Sequence, residues 1–174
     1  FDNVTAAWGC AAERARFDLI AEALEGFTLF FVLRSRYPEG KEAISRALNQ
    51  LERSTATTET AEVVPLRYRL QARLGAFCVY QGDLVAADHF FDAVLNQSAD
   101  LRELAFVYRY LGLAARWRGN RLYAEQSLQQ SLDFARRSGD RNQMGEALLG
   151  LADTASSFGN FQAGEQFNRE ALAL

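Results

Sequence analysis

Four short segments of this chain resemble one another, and each separates two stretches that have the apolar spacing of an α-helix. They are centred on Ser35, Gly82, Gly119 and Gly159, which are 47, 37 and 40 residues apart. A leucine lies thirteen residues beyond each centre, at Leu48, Leu95, Leu132 and Leu172. A small residue lies five residues beyond each centre, at Gly40, Ala87, Ala124 and Gly164. Internal repeats at this period predict stacked supersecondary units.

The repeated pattern is typical of a helical hairpin. A glycine between two helices permits the left-handed backbone that ends the first one. The residues Asp83, Asn120 and Asn160 then offer side-chain oxygens that can cap the second helix. A small residue after the turn lets the two backbones approach closely, and the leucines lie on a face that the next hairpin covers. We therefore expect the hairpins to stack as a curved solenoid.

The sequence predicts an all-α fold with a leading helix and about four antiparallel pairs. The predicted helices are 3–14, 17–34, 38–51, 65–81, 84–95, 101–118, 122–138, 141–158 and 161–172. Asp2 is placed to cap the first helix, and Pro38 and Pro65 suit first-turn positions. Residues 53–62, which are rich in Ser and Thr, read as a linker inserted between the first two repeats.

Composition limits the functional classes. Hydrophobic residues make up 49% of the 174 residues and charged ones 24%, which is typical of a folded domain. The net charge of −3 argues against general nucleic-acid or membrane-surface binding. No apolar run is long enough to span a membrane, and no signal peptide is recognisable, so we expect a cytoplasmic protein. The chain starts at Phe1, and we interpret it as a piece of a longer protein.

The repeats resemble the tetratricopeptide family. The similarity is strongest from Arg73 to Asp83, with Ala87, Phe91 and Leu95 following at the expected positions. The long period and the turn Arg137-Ser138-Gly139-Asp140-Arg141 look like the arrays attached to STAND-type ATPases and LuxR-type bacterial transcriptional regulators. The opening segment, residues 1–8, resembles the stretch that joins the other domains of such proteins to their repeats.

This resemblance implies one right-handed solenoid domain. Its parts would be a leading helix at 1–16, repeats at 17–52, 65–100, 101–140 and 141–174, and a linker at 53–64. It also implies a sensor or scaffold region of a multidomain regulator. No phosphate-binding Gly-Lys loop and no DNA-reading module occur in this sequence. Any ATPase or DNA-binding activity of a parent protein would therefore reside outside these residues.

Residues suited to catalysis are scarce. The single histidine, His89, reads as a polar residue on the outer face of its helix. Cys10 and Cys78 read as buried small hydrophobic residues with no disulfide between them. One His and two separated Cys cannot form a closed zinc site, so we predict no metal, no cofactor and no enzymatic activity.

A second stripe on helix 101–118 is the feature that suggests binding. One stripe has core spacing and contains Leu104, Tyr108, Leu111 and Ala115. The other lies about 200° around the helix at 100° per residue. The predicted groove residues on this helix and the preceding first-of-pair helix are Arg69, Arg73, Tyr80, Phe106, Arg109, Tyr110, Leu113, Arg116 and Trp117. Because first helices line the concave groove in tetratricopeptide arrays, these residues would meet a protein, a peptide or a small acidic effector there.

Two other interpretations stay open. The same aromatic residues could fill the seam between neighbouring helices, with the arginines neutralised by Glu22, Glu25, Glu146 and Asp153. The domain could also be a structural arm that binds only copies of itself. The C-terminal helix would favour weak self-association, because Phe167 and Leu172 lack a following repeat to cover them.

Overall fold

A computed structural model describes residues 2–55 and 63–174, without the side chains of Asp2 and Thr55. These residues form nine α-helices and no strand, so the predicted all-α class is confirmed. The helices are α1 (Asp2–Glu13), α2 (Phe17–Leu33), α3 (Tyr37–Thr55), α4 (Val63–Tyr80), α5 (Leu84–Gln97), α6 (Leu101–Trp117), α7 (Arg121–Ser138), α8 (Arg141–Ser157) and α9 (Phe161–Leu172). In this part of the chain, no helix combines the length and the apolar character that crossing a bilayer requires.

The chain divides into two compact units, Phe1–Ala93 and Val94–Leu174, and the division falls within α5. In the first unit α1 packs on α2 and α3, and α3 packs on α4. Trp8 joins these helices, because its indole stacks on Phe27 at 3.8 Å and its Nε1–H donates to the carbonyl oxygen of Ala43 at 3.1 Å. Ile20, Leu24 and the other apolar residues of this core are almost inaccessible to solvent.

In the second unit α6 packs on α7, α7 on α8 and α8 on α9, and α6 also contacts α8. Leu128 and Leu132 of α7 meet Leu148 and Leu151 of α8 in its core. Phe167 of α9 packs against this cluster, whereas Leu172 is 89% exposed. The expectation that both residues lack cover is therefore correct for Leu172 and wrong for Phe167, because the inner side of α9 faces α8.

The turns between paired helices have the predicted backbone. Ser35, Gly82, Gly119 and Gly159 all have positive φ, between 53° and 83°. The oxygens of Asp83, Asn120 and Asn160 each accept a backbone N–H three residues further on, at 3.2 Å. The residue with positive φ therefore ends the first helix, and the side-chain cap that follows it begins the second.

Small residues allow close approach where these helices cross. A Cβ on Gly112 would lie 2.5 Å from the Leu128 side chain, and a Cβ on Gly164 would lie 3.1 Å from the Ala152 carbonyl oxygen. Ala87 and Ala124, at positions equivalent to Gly164 in the sequence pattern, have no solvent exposure. The predicted close approach is therefore observed at Gly164 and at Ala124, whose carbonyl oxygen would lie 3.2 Å from a Cβ on Gly112.

Three local predictions need correction or fall outside the description. The predicted linker at 53–64 is partly helical, because α3 continues to Thr55 and α4 already begins at Val63. No Gly or Pro interrupts the sequence at the end of α3. Residues 56–62 lie outside the described residues. Cys10 is exposed rather than buried, since α1 buries the face that carries Trp8 and Ala12. The predicted capping role of Asp2 concerns a side chain outside the described part.

Candidate binding surface

Two arginine–carboxylate pairs connect α6 to α8 within the second unit. Arg109 Nη1 lies 3.0 Å from Glu146 Oε2, and Arg116 Nη1 lies 3.2 Å from Asp153 Oδ2. The arginine side chains are 20–21% exposed, whereas the carboxylates are 50% and 68% exposed. The two pairs are seven residues apart along both helices, which is about two helical turns. They define a surface that we call the α6–α8 face.

The aromatic and aliphatic side chains of the α6–α8 face differ in their exposure to solvent. Phe106 and Tyr110 are 7% and 3% exposed and lie 4.8 Å apart between ring centroids. The Arg109 guanidinium lies over the Tyr110 ring at 4.4 Å. Trp117 at the end of α6 is 50% exposed and Leu149 of α8 is 48% exposed, while Leu113 is half-buried. The apolar area that a partner could contact is therefore offered by Trp117 and Leu149.

The assignment of the two stripes on α6 was partly wrong. Leu111 and Ala115 are buried as predicted, but Leu104 and Tyr108 are only half-buried. Tyr108 instead stacks on the half-buried Phe134 of α7 at 5.5 Å. A helix that is covered on more than one side buries more than one stripe, and 3.6-residue periodicity alone does not rank such stripes.

The first unit holds the other predicted groove residues. Arg73 has a side chain only 2% exposed, and its Nη2 donates to Glu25 Oε1. Arg69 Nη2 lies 3.3 Å from the same carboxylate oxygen and donates to the carbonyl oxygen of Ala21 at 3.0 Å. Tyr80 stacks on Tyr37 with ring centroids 4.7 Å apart. These residues connect α4 to α2 and α3.

The arginines are thus neutralised by Glu25, Glu146 and Asp153, as one of the two interpretations expected. The structure brings Arg69 and Arg73 together in the first unit. It brings Phe106, Arg109, Tyr110, Arg116 and Trp117 together along α6 in the second. That both sets face one groove stays a prediction, as does their role in binding.

Sequence reasoning missed a cleft in the second unit. It has a volume of about 450 Å³ and lies between α7, α8 and α9, with Leu151, Ala155 and Phe167 among its apolar lining. Arg121 and Glu125 also line it and are paired with each other at 2.8 Å. The residues come from three helices with no shared spacing, so no linear pattern could have indicated the cleft.

His89 and Cys78, the two residues considered for catalysis, lie on different helices of the first unit. His89 is exposed on α5, as predicted, and Cys78 is buried on α4. Burial raises the pKa of the Cys78 thiol, which keeps it protonated and unreactive. Among residues 2–55 and 63–174, no group of three His, Cys, Asp or Glu side chains is arranged to hold a metal ion.

Comparison with known proteins adds no family. No protein-family model matches the chain, and no curated protein matches its sequence significantly.

Proposed function

We propose that this chain is an interaction module of the tetratricopeptide type, in which the α6–α8 face binds a segment of another polypeptide. The repeat architecture is supported by the recurring left-handed turns and by the small residues at the helix crossings. On this proposal the helix pairs form a right-handed solenoid that presents its first helices to the partner.

The observation that carries the proposal is the composition of the α6–α8 face. Half-exposed Trp117 and Leu149 lie among paired charges, and Trp and Arg are enriched in binding hot spots. The carboxylates of Glu146 and Asp153 are more exposed than the arginines they neutralise. A polypeptide with a basic side chain beside an apolar one fits this surface best, because a cation can approach the exposed carboxylates while an apolar group contacts Trp117 or Leu149.

A small acidic effector is the second candidate ligand. Arg109 and Arg116 could bind a carboxylate or phosphate bidentately. Such a ligand would have to displace Glu146, which accepts a hydrogen bond from Arg109, and Asp153, which is ion-paired with Arg116. This competition makes the polypeptide the stronger candidate.

We further propose that the module serves as the sensor or scaffold region of a larger cytoplasmic regulator of the STAND or LuxR type. The support is the resemblance of the repeats and of residues 1–8 to such proteins. The proposal assigns no catalysis, no metal and no cofactor to these residues.

A random peptide library selected on the immobilised chain tests the binding proposal. Enriched peptides should carry Arg or Lys beside an apolar residue. Trp117→Ala and Asp153→Asn should each weaken their binding about 30-fold, which corresponds to about 2 kcal/mol. Thermal stability should fall much less, because Trp117 is half-exposed.

Leu122→Ala provides the matched control, because Leu122 is 66% exposed on α7 and lies outside the α6–α8 face. Affinity should be unchanged in this variant. Enrichment of acidic peptides that bind more tightly to Glu146→Gln would favour the acidic effector. Unchanged affinity in a folded Trp117→Ala variant would refute the proposed surface.

A further inference from the structure

The cleft between α7, α8 and α9, which we call the α7–α9 cleft, has no role in the function proposed above. Leu151 and Ala155 of α8 line it and are almost completely buried, and Phe167 of α9 lines it and is half-buried. Arg121 and Gln126 of α7 also line it and are exposed. The cleft therefore combines buried apolar side chains with polar side chains that solvent can reach, which is typical of a ligand site.

Small side chains leave the space of the α7–α9 cleft unfilled. Two of its apolar lining residues, Ala155 of α8 and Ala163 of α9, carry only a methyl group. Leu122 of α7 also lines the cleft but is 66% exposed, so most of its side chain remains outside the packed interior. The volume of about 450 Å³ lies within the range of about 300–1,000 Å³ that small-molecule sites occupy.

The charges of the α7–α9 cleft neutralise each other. Among the described residues that line it, Arg121 and Glu125 are the charged ones. They are one helical turn apart on α7, and Arg121 Nε donates to Glu125 Oε1 at 2.8 Å. A charged ligand would lose hydration in the cleft and would have to separate this pair in order to be neutralised. The lining therefore favours an uncharged ligand.

The other polar side chains of the lining are the amides of Gln126, Gln129 and Asn160. Asn160 Oδ1 accepts the backbone N–H of Ala163 at 3.2 Å as the cap of α9, which leaves its Nδ2 as a donor. Gln129 Nε2 donates to Asp133 Oδ1 at 3.2 Å, which leaves its Oε1 as an acceptor. These amides suit a carbonyl or hydroxyl group, because each forms hydrogen bonds without carrying a charge.

We propose that the α7–α9 cleft binds an uncharged small molecule that has an apolar body and a carbonyl or hydroxyl group. The apolar body lies against Leu151, Ala155 and Phe167, where it is removed from water. The carbonyl or hydroxyl group forms hydrogen bonds with the amides of α7 and Asn160, which fix its orientation.

The α7–α9 cleft is separate from the α6–α8 face, although α8 contributes to both. Leu151 and Ala155 of the cleft each follow a residue of that face, Leu149 or Asp153, by two positions. At 100° per residue, two positions correspond to about 200°, so the two sites use opposite sides of α8. The two binding proposals can therefore fail independently.

A fluorescence titration of the 174-residue chain with Nile red, an uncharged dye that has a carbonyl oxygen, tests the site. The dye should bind saturably, one molecule to each chain. Ala163→Leu should weaken its binding about tenfold or more, because the larger side chain fills the cleft. Ala173→Leu is the matched control, since Ala173 is exposed just beyond α9 and outside the lining, and it should bind like the wild type. Far-ultraviolet circular dichroism should report intact helices in both variants.

A series of ligands with one alkyl chain tests the preference for an uncharged molecule. Octanamide, octanoate and octylammonium differ only in the charge and chemistry of the head group. Octanamide should displace Nile red at a concentration about tenfold lower than either ion, because the ions lose hydration without gaining an opposite charge. Gln126→Lys should reduce the difference between octanamide and octanoate, since the added ammonium group can pair with the carboxylate.

Absence of saturable dye binding would refute the site, as would unchanged binding in a folded Ala163→Leu variant. If that variant does not fold, the ligand series on the wild type still decides, because equal displacement by octanoate and octanamide would refute the uncharged ligand. Loss of dye binding in Trp117→Ala would place the dye on the α6–α8 face and overturn the proposal. If the selected peptides lose affinity in Ala163→Leu and the wild type binds no dye, the cleft belongs to a polypeptide partner instead.

Discussion

Arg109 Nη1 and Glu146 Oε2 are 3.0 Å apart, and the same kind of pair recurs seven residues later on both helices between Arg116 and Asp153. The arginine of each pair is the less exposed member. The stems of these side chains therefore cover the seam between α6 and α8, while the carboxylates stay in contact with water.

The Arg109–Glu146 ion pair should contribute only a small coupling free energy to the stability of the folded chain. A double-mutant cycle with Arg109→Ala and Glu146→Ala should give roughly 0.2–1 kcal/mol in urea unfolding, because half-exposed ion pairs are well solvated. The exposed pair Arg169–Glu165 on α9 is the control and should couple by about 0.3–0.5 kcal/mol. A coupling well above 2 kcal/mol for Arg109–Glu146 would place the pair in the core and count against a binding surface.

The close approach at Gly75 should make it intolerant of a side chain. A Cβ there would overlap the ring of Phe91, which is fully buried and cannot move aside. Gly75→Ala should lower the free energy of unfolding by about 1–3 kcal/mol. Gly9→Ala is the control: a Cβ on Gly9 meets nothing within 4 Å, so this variant should gain up to about 1 kcal/mol. Equal effects of the two substitutions would contradict the packing at Gly75.

Ser35 carries strain that the equivalent glycines avoid. Its φ is +53°, whereas Gly82 has φ +77° at the matching turn. Ser35→Gly should stabilise the chain by about 1 kcal/mol, and Gly82→Ser should destabilise it by a similar amount. Chemical denaturation should show these as shifts of the midpoint with an unchanged slope. A loss of stability in Ser35→Gly would mean that the serine side chain contributes more than its backbone costs.

The two thiols should differ sharply in reactivity. Cys10 is exposed, whereas Cys78 is buried and its pKa is raised by that burial. A maleimide should label one thiol rapidly in the native chain and a second only on unfolding, since the thiolate is the nucleophile. Cys10→Ser should abolish the rapid phase. A rapid phase that survives this substitution would show that Cys78 is accessible.

The turns and crossings could be predicted because they depend on local chemistry. Positive φ favours glycine, and a helix cap favours Asp or Asn three residues before its backbone partner. A close helix crossing favours a small residue. Each of these preferences can be recognised in the sequence. Ser35 could be aligned with three glycines because its neighbours repeat, although serine itself does not indicate positive φ.

The faces of the helices could not be ranked in the same way. Phe106 and Tyr110 have the residue types of a binding surface and are buried, while Trp117 on the same stripe is half-exposed. Burial depends on which helices pack alongside, which is not encoded in the spacing of one helix.

Asp18 should make the stability of the first unit depend on pH. A hydrogen bond from Arg16 lowers the pKa of Asp18 from 3.8 to about 2. Because the folded state favours the ionised carboxylate, the stabilisation is complete above about pH 4 and is lost as the pH falls towards 2. Asp18→Asn should therefore have a lower thermal midpoint than the wild type near neutral pH, and the difference should shrink towards zero by about pH 2. Arg16→Gln should reduce the same pH dependence, because it removes the partner that lowers the pKa. A difference between wild type and Asp18→Asn that stays constant from neutral pH to pH 2 would show that Asp18 acts without its charge.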